Sequence, residues 1–406
     1  MRTTHLVLVS QRIRFFICAG RGVRYDYREG REEGSGFRDH QEHLVGCEGA
    51  CPLASLIAEA AMKRLRSGVD HFESCDKTRL VIFPTFGKHS YSIPSPYGEA
   101  LRVLDCLSDR RRGDGGDDAD LQGLLGNVEL SDFVNYLDDE GLLIDESCEM
   151  GLSDEARTRF CRQMAYFEQS SAFPDNVETL QLNLGKRSVA VVGCGGVGAP
   201  VAELLSATGV GRILLIDDDV VELGNLGRQI AYSEQDIGVP KVSALAKRIG
   251  LINPQTSVTV MQERIDVENY ARLLLESDFV VVGADTPMLE LLYWLDDLVD
   301  KRGIAYICMS NCPPVFRVGP VFAQPGGMRY KAYHERLETK WRDAARYECY
   351  SNTAQASKVT TVWVCYAAAA ISVGNIVQYL LTGNCALLGQ AYLFDMESLS
   401  GWWGTG

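Results

Sequence analysis

The sequence predicts an α/β fold: a doubly wound, mostly parallel sheet preceded by a small winged-helix-like module. Three observations support this prediction. An apolar run, Val189–Val192, leads into the glycine-rich turn Gly193–Gly198 and a helix of small residues. A second apolar run, Arg212–Ile216, ends in Asp217, nineteen residues past Gly198. Strands and helices then continue to alternate, which is typical of a Rossmann-like sheet that binds its ligand at the carboxyl ends of its strands.

Composition places the chain among ordinary globular proteins. It has 406 residues, of which 46% are apolar and 23% charged, and its formal net charge is −14. This charge disfavours DNA or RNA as a principal partner, because nucleic-acid binding needs a basic surface. We expect the thirteen cysteines to be mostly small buried apolar residues in a reduced cytoplasmic protein, since the N-terminus lacks the pattern of a signal peptide.

One apolar segment has the length of a membrane span. It runs over 359–381 and contains Trp363, Asn375 and Gln378 together with four consecutive alanines. These residues favour a buried core or interface helix over a transmembrane helix. We therefore expect no membrane partner.

Before the alternating region, the chain divides into two segments. Residues 1–88 form an extension of uncertain structure. Residues 89–150 show helical periodicity followed by a turn into an edge strand, which predicts the winged-helix-like module. The elements predicted in these segments are helices at 53–65, 97–107, 121–125 and 131–137 and strands at 80–84 and 140–145.

The charge of the 89–150 module argues against DNA binding. Its stretch from His89 to Glu149 has fifteen acidic residues against four arginines and no lysine, so phosphate binding is disfavoured. Two uses remain open. The module is either a packing or dimerisation element, or a clamp that captures an extended peptide on its exposed strand edge.

The third segment, residues 151–406, is the predicted α/β domain. Beyond the first βαβ unit it contains further apolar strands at 258–261, 279–283 and 304–309 and helices at 289–300 and 359–381.

The glycine turn has the chemistry of a phosphate site. Glycines allow the backbone to approach phosphate oxygens, and the helix that follows presents unpaired N–H groups. The candidate phosphate-contacting glycines are Gly193, Gly195, Gly196 and Gly198. Asp217 lies where a carboxylate accepts hydrogen bonds from ribose hydroxyls. These features alone suit NAD, FAD and ATP equally.

A second group of residues favours ATP. Asp219 lies in the acidic run after the second strand, and Asn225, Arg228 and Gln229 follow it, with Lys241 thirteen residues past Arg228. A dehydrogenase does not need cations here, whereas nucleotidyl transfer does, because negative charge grows on the bridging and leaving oxygens.

Asp285 ends the apolar run that begins at Phe279. An acid at the carboxyl end of such a strand is placed to hold Mg²⁺ against the phosphates. It also suits a helix N-cap, because Thr286 and Pro287 follow.

In order and spacing, these motifs resemble the ubiquitin-activating-enzyme-like (ThiF/MoeB-type) adenylating superfamily, over residues 157–383. The resemblance implies an ATP- and Mg²⁺-dependent adenylation domain over 151–406. The segment Arg159–Gln163 resembles one that, in this superfamily, supplies an arginine to the ATP site of the partner subunit. Carried over, it assigns Arg162 to the phosphates in trans and implies a homodimer.

Finer details resemble the microcin C-type and pantocin A-type peptide-modifying members. This implies adenylation of a carboxylate on a ribosomal precursor peptide, leading to cyclisation or amide chemistry in antibiotic biosynthesis. Two alternatives stay open: an activator of a ubiquitin-like sulfur-carrier protein, and a non-catalytic nucleotide-binding scaffold.

Cysteine spacing departs from many relatives, which bind a structural zinc with two C-x-x-C pairs. This chain has no C-x-x-C, so we predict that zinc is absent. Cys349 and Cys365 lie in the part of the chain where some members carry a thioester cysteine, but neither has an adjacent His or Lys in sequence to lower its pKa.

Overall fold

The computed structural model describes twelve stretches of the chain, which form two compact units. The first unit comprises residues 1–151 with 165–171, and the second comprises 152–164 with 172–406. The described residues are 2–9, 12–16, 63–84, 89–94, 98–112, 128–145, 151–170, 172–173, 176–284, 288–323, 328–340 and 359–404.

The described residues of the first unit form two sheets, two helices and the end of a third helix. The larger sheet has the strand order β2-β1-β6-β5-β4, antiparallel except between β1 and β6, and β3 pairs with β7 in a separate two-stranded sheet. The elements are β1 (Arg2–Val9), β2 (Arg12–Phe16), β3 (Lys63–Leu65), β4 (Val69–Glu73), β5 (Arg79–Pro84), β6 (His89–Pro94), α1 (Gly98–Arg112), α2 (Val128–Asp139) and β7 (Leu143–Asp145).

A single hydrophobic core holds this unit together. Leu80 and Ile82 of β5, at alternate positions of the strand, are both fully buried. Val103 and Leu107 of α1, four residues apart on one helix face, belong to the same cluster. The cluster therefore crosses residue 88, where the sequence analysis divides the first two segments.

Several predicted elements of the first unit correspond to observed ones. Helices α1 and α2 overlap the predictions at 97–107 and 131–137. The helix predicted over 53–65 is wrong at its end, where residues 63–65 form strand β3 in pairing with β7. Residues 53–62, and the helix predicted at 121–125, lie outside the described residues.

A buried ion pair lies at the end of α3 (Asp154–Gln169), whose residues 165–169 belong to the first unit. Glu168, whose side chain is 3% exposed, pairs with Arg64 and also accepts a 2.9 Å hydrogen bond from the backbone N–H of Ser67. Burial opposes ionisation, but the contacts from Arg64 and Ser67 outweigh it and lower the pKa of Glu168. The end of α3 is thus fixed by a satisfied buried charge.

The second unit is built on an eight-stranded sheet with the order β10-β9-β8-β11-β12-β13-β14-β15. The first five strands in this order are parallel, and the last three pair antiparallel at one edge. The strands are β8 (Ser188–Val192), β9 (Arg212–Ile216), β10 (Ser257–Met261), β11 (Phe279–Val282), β12 (Ala305–Cys312), β13 (Val315–Phe322), β14 (Ala391–Asp395) and β15 (Ser400–Gly404).

This arrangement confirms the predicted α/β fold with a mostly parallel sheet. The described helices of this unit begin with the first part of α3, residues 154–164. The others are α4 (Val177–Leu184), α5 (Gly198–Thr208), α6 (Lys241–Ile252), α7 (Tyr270–Leu274), α8 (Met288–Arg302), α9 (Tyr330–Lys340) and α10 (Val362–Thr382). The strand order reverses between β8 and β11, so the loops that leave these two strands diverge and open a crevice at their carboxyl ends.

Helix α10 is long and apolar enough to cross a bilayer, and half of its most apolar stretch is buried inside the protein. It packs against α5 and β13. Ala369 and Ile376, seven residues apart, are fully buried, which is the spacing of one helix face. Within the described residues, α10 thus serves as a core helix of the second unit.

Candidate functional site

The glycine turn between β8 and α5 depends on two glycines for its shape. Gly193 has a φ of 89°, and a Cβ there would lie 2.5 Å from the backbone nitrogen of Ala284. A Cβ at Gly198 would lie 1.8 Å from the carbonyl oxygen of Gly193. These two positions let the turn close on itself and against the end of β11.

Gly195 and Gly196 line the cavity above the turn, as Gly193 also does. A Cβ at Gly195 would make an ordinary 3.8 Å contact with Nε2 of Gln229, and one at Gly196 would lie 2.9 Å from Sγ of Cys365. The space beside Gly195 is therefore open to a ligand that approaches closely, whereas Gly196 packs against Cys365. Cys365 itself is 1% exposed and lies 3.4 Å from Oγ1 of Thr360, whereas Cys349 lies outside the described residues.

Asp217, at the end of β9, organises the turn. It accepts hydrogen bonds from the backbone N–H of Cys194 at 2.6 Å and of Asp219 at 2.8 Å. Burial raises the pKa of Asp217, although the charge of Lys241 and the two N–H donors oppose the shift. On the other side, the buried hydroxyl of Tyr232 donates to the carbonyl oxygen of Cys194 at 2.7 Å.

Two of the three cationic residues predicted for the phosphates, Arg228 and Lys241, line the same cavity as the turn. Lys241, the first residue of α6, pairs through Nζ with Oδ2 of Asp219 at 2.7 Å. The Lys241 side chain is 7% exposed and that of Asp219 is 66% exposed. Arg228 donates from Nη1 to the carbonyl oxygen of Gly224 at 2.9 Å, and Oδ1 of Asn225 caps the same loop by accepting from the backbone N–H of Glu222 at 3.0 Å.

Gln229 carries an unsatisfied buried atom. It is 2% exposed, and its Oε1 has no hydrogen-bond partner within the part of the chain that the structure describes. Buried side-chain oxygens without a partner are uncommon and indicate a ligand or water. The amide faces Gly195, so a ligand seated on the glycine turn would meet it.

One cavity of about 450 Å³ joins these groups, a size within the usual range of small-molecule sites. It crosses the carboxyl ends of β10, β9, β8, β11 and β12. At its β10 end lie Glu263, Arg264 and Ile265, and at its β12 end lie Met309, Ser310 and Asn311. The residues predicted to bind the phosphates lie between these two ends, an arrangement that fits a nucleotide with its adenosine directed towards β9 and β10.

Among the described residues, two of the predicted site residues, Gly198 and Arg162, do not line this cavity. Arg162 is exposed on α3 and does not line it. Asp285 lies outside the described residues, so its role towards Mg²⁺ stays a prediction. Asp217, Asp218 and Asp219 each place a carboxylate oxygen within 4.8 Å of the others, which is the ligand type that Mg²⁺ prefers.

Sequence reasoning missed several residues of the site. Tyr232 could have been suspected, because it lies three residues after Gln229 in the same loop, but its residue type and position match no motif. Ser310, Asn311 and Val364 gave none, because strand pairing and the packing of α10, not any motif, bring them to the cavity.

A family model and the curated relatives assign this chain to the same family. A model described as the ThiF family matches residues 165–394. The SAMP-activating enzyme E1 of Haloferax volcanii is 39% identical over 119 residues, which make up 29% of this chain and 43% of that enzyme. The adenylyltransferase and sulfurtransferase MOCS3 of Arabidopsis thaliana is 38% identical over 160 residues, 39% of this chain and 32% of that protein. The chain therefore spans less than half the length of these curated relatives.

Among solved structures, two show the same fold over most of the chain. PaaA superposes with a TM-score of 0.65 at 22% identity and covers 84% of this chain and 99% of its own. MccB of E. coli, determined with ATP, has a TM-score of 0.59 at 19% identity and covers 84% of this chain and 96% of its own. At these identities the likeness concerns the fold.

Proposed function

The chain belongs to the ThiF family, and from this premise we propose that it is an ATP-dependent adenylyltransferase acting on a carboxylate of a ribosomally made precursor peptide. The observation that carries the proposal is the single cavity in which the open glycine turn, the ribose-type acid Asp217 and the cations Arg228 and Lys241 meet.

Each of these groups has a task in adenylyl transfer. ATP supplies the adenylyl group: a carboxylate oxygen attacks the α-phosphorus, the bond to the bridging oxygen breaks, and pyrophosphate leaves with the electron pair. Gly195 and Gly196 admit the phosphates, while Asp217 accepts from ribose hydroxyls. Arg228 and Lys241 stabilise the charge that grows on the leaving oxygens. We keep Mg²⁺ in the proposal, held through Asp285 and the phosphates.

Two observations favour a peptide as substrate. The fold likeness to PaaA and MccB extends over nearly the whole of those chains, and one MccB structure was determined with MccA. The first unit also offers strand edges on which an extended peptide can bind, such as that of the two-stranded sheet formed by β3 and β7. We propose that residues 89–150 contribute to peptide recognition, and that the activated carboxylate is attacked by a nucleophile of the peptide in natural-product biosynthesis. Cytoplasmic location follows from the need for ATP and ribosomal peptides.

A second candidate is activation of a ubiquitin-like sulfur carrier. It is favoured by curated relatives such as the sulfur carrier protein adenylyltransferase of Thermus thermophilus, 41% identical over 105 residues. The chemistry is the same, with the C-terminal glycine of a folded protein as the carboxylate.

Exchange of labelled pyrophosphate into ATP tests the proposal. We expect exchange that depends on a short peptide encoded beside the gene and not on a sulfur-carrier protein. Exchange with the carrier alone would replace the first candidate by the second. ATP binding without exchange for any candidate substrate would leave the third alternative, a non-catalytic nucleotide-binding scaffold. Metal analysis of the same sample tests the predicted lack of zinc.

We further propose a homodimer in which Arg162 of each subunit completes the ATP site of its partner. Arg162 is exposed and away from the cavity of its own chain. The segments that line the cavity carry exposed apolar side chains, with Leu223 68%, Ile230 56% and Trp363 62% exposed, as expected of a surface that another subunit covers.

Mixed dimers give a direct prediction. Arg162→Ala and Lys241→Met are each expected to be nearly inactive alone. Co-expressed in equal amounts, they should recover about a quarter of wild-type exchange, because half of the dimers are mixed and each mixed dimer has one intact site. No recovery, with dimers demonstrated by sedimentation, would show that Arg162 acts within its own chain, and full activity of Arg162→Ala alone would show that it has no part in the reaction.

A further inference from the structure

The cavity continues beyond the glycine turn to the carboxyl end of β12. Neighbouring strands lie about 4.8 Å apart, and one strand, β11, separates β8 from β12. The cavity therefore extends about 10 Å past the turn. The triphosphate groups of the proposed site do not account for this part.

Ser310 lines this extension and is held by a buried arginine. Ser310 of β12 and Arg317 of β13 are directly opposite one another in the antiparallel register. Nε of Arg317 donates to Oγ of Ser310 at 3.0 Å. Arg317 is 5% exposed, donates from Nη1 to the carbonyl oxygen of Gly319 at 2.7 Å, and lies over the ring of Tyr333 with Cζ 5.9 Å from its centre. The hydroxyl oxygen of Ser310 is thus held in place by the buried guanidinium of Arg317.

This contact determines the direction of the hydroxyl hydrogen. A guanidinium only donates, so the oxygen of Ser310 must act as the acceptor, and its own hydrogen remains to be donated elsewhere. Within the described residues, the hydroxyl of Ser310 makes this one hydrogen bond. Because Ser310 lines the cavity, the cavity is where an acceptor for its hydrogen can lie.

The surroundings of Ser310 indicate the kind of acceptor. The nearby walls are formed by the apolar side chains of Met309, Phe316, Val364 and Ala368. Asn311 also lines this end, and its Nδ2 donates to the carbonyl oxygen of Val359 at 2.7 Å. Such walls do not compensate the charge of a triphosphate. They suit a single carboxylate at the end of an uncharged substrate chain, because the guanidinium of Arg317 behind Ser310 offsets that one negative charge.

We infer that Ser310 donates a hydrogen bond to one oxygen of the substrate carboxyl group, while the other oxygen attacks the α-phosphorus of ATP. Ser310 is then a binding residue for the acyl group, and Arg317 is a positioning residue that acts through it. This inference rests on the proposed adenylyl transfer and adds the place at which the acyl group is held.

Binding of two probes to the full-length protein tests the inference. ATP occupies the nucleotide part alone, and 5′-O-(N-glycylsulfamoyl)adenosine, a stable mimic of an acyl adenylate, occupies both parts. In calorimetry, Ser310→Ala should weaken the mimic about five- to tenfold, the effect of one lost hydrogen bond, and leave ATP affinity within about twofold. Arg317→Lys should act in the same direction, and Ser310→Thr, which keeps the hydroxyl, should restore binding. Ser398→Ala, at the turn before β15, is the matched control.

The outcomes separate the two proposals. If the wild-type protein binds neither probe, adenylyl transfer fails and this inference fails with it. If the wild type binds both and Ser310→Ala weakens ATP and the mimic equally, weakens ATP alone or weakens neither, the nucleotide site stands and the acyl role of Ser310 is overturned. Thermal unfolding of each variant identifies any loss of affinity caused by a loss of folded protein.

Discussion

Gly195→Ala is expected to yield a folded protein that binds ATP about 10- to 100-fold more weakly than the wild type. In the structure the added methyl would make only an ordinary 3.8 Å contact with Gln229, so the fold has room for it. The same methyl would occupy the space through which phosphate oxygens approach the backbone, and crowding of that kind costs about 1–3 kcal/mol. Calorimetric titration with ATP, together with thermal unfolding, measures both quantities.

Gly198→Ala is the contrasting change in the same turn. Its Cβ would lie 1.8 Å from the carbonyl oxygen of Gly193, and this backbone atom cannot move without opening the turn. We expect a loss of stability above about 4 kcal/mol, seen as a large fall in the unfolding temperature. Gly250→Ala, on α6 with nothing within 4 Å of the new Cβ, is the control and should fold and bind ATP like the wild type. Unchanged ATP affinity in Gly195→Ala would mean that the turn does not hold the phosphates.

The contrast between these glycines shows what the sequence could predict of the site. A continuous run from β8 through α5 to β9 makes the turn recognisable, because neighbours in sequence are neighbours in space. The glycine-rich sequence does not show which glycines are required for packing of the turn and which are open to a ligand. That difference depends on Ala284, which arrives from a strand about ninety residues later and closes against Gly193.

Other parts of the molecule could not be predicted from the sequence either. Strands β13, β14 and β15 extend one edge of the sheet in antiparallel pairing. They do not have the strand–helix–strand spacing by which the parallel strands can be recognised in the sequence. In the first unit, Val69 is the one buried residue of β4. The sequence of this strand therefore shows too little alternation of apolar and polar residues to be recognised as a strand. Ser310 becomes a site residue only through its cross-strand partner Arg317, a relation that sequence spacing does not encode.

Lys241→Met is expected to lower peptide-dependent pyrophosphate exchange by about 10²- to 10³-fold, the usual cost of removing one charged donor from a transition state. Methionine keeps the unbranched stem that packs in the cavity wall and removes only the charge. The loss should appear in the rate of exchange more than in ATP affinity, because the charge on the leaving oxygens grows during the reaction.

Stability should change little in the same variant. The partner carboxylate of Asp219 is 66% exposed, so water replaces the ammonium group, and pairs of this kind contribute at most about 1 kcal/mol. Asp219→Asn is the matched control, because it removes the charge from the other partner and keeps an acceptor for Nζ. If Lys241 serves the phosphates, Asp219→Asn should retain exchange within about tenfold of the wild type. Equal losses in both variants would instead mean that the ion pair itself, and not the ammonium group acting on ATP, is what the reaction needs.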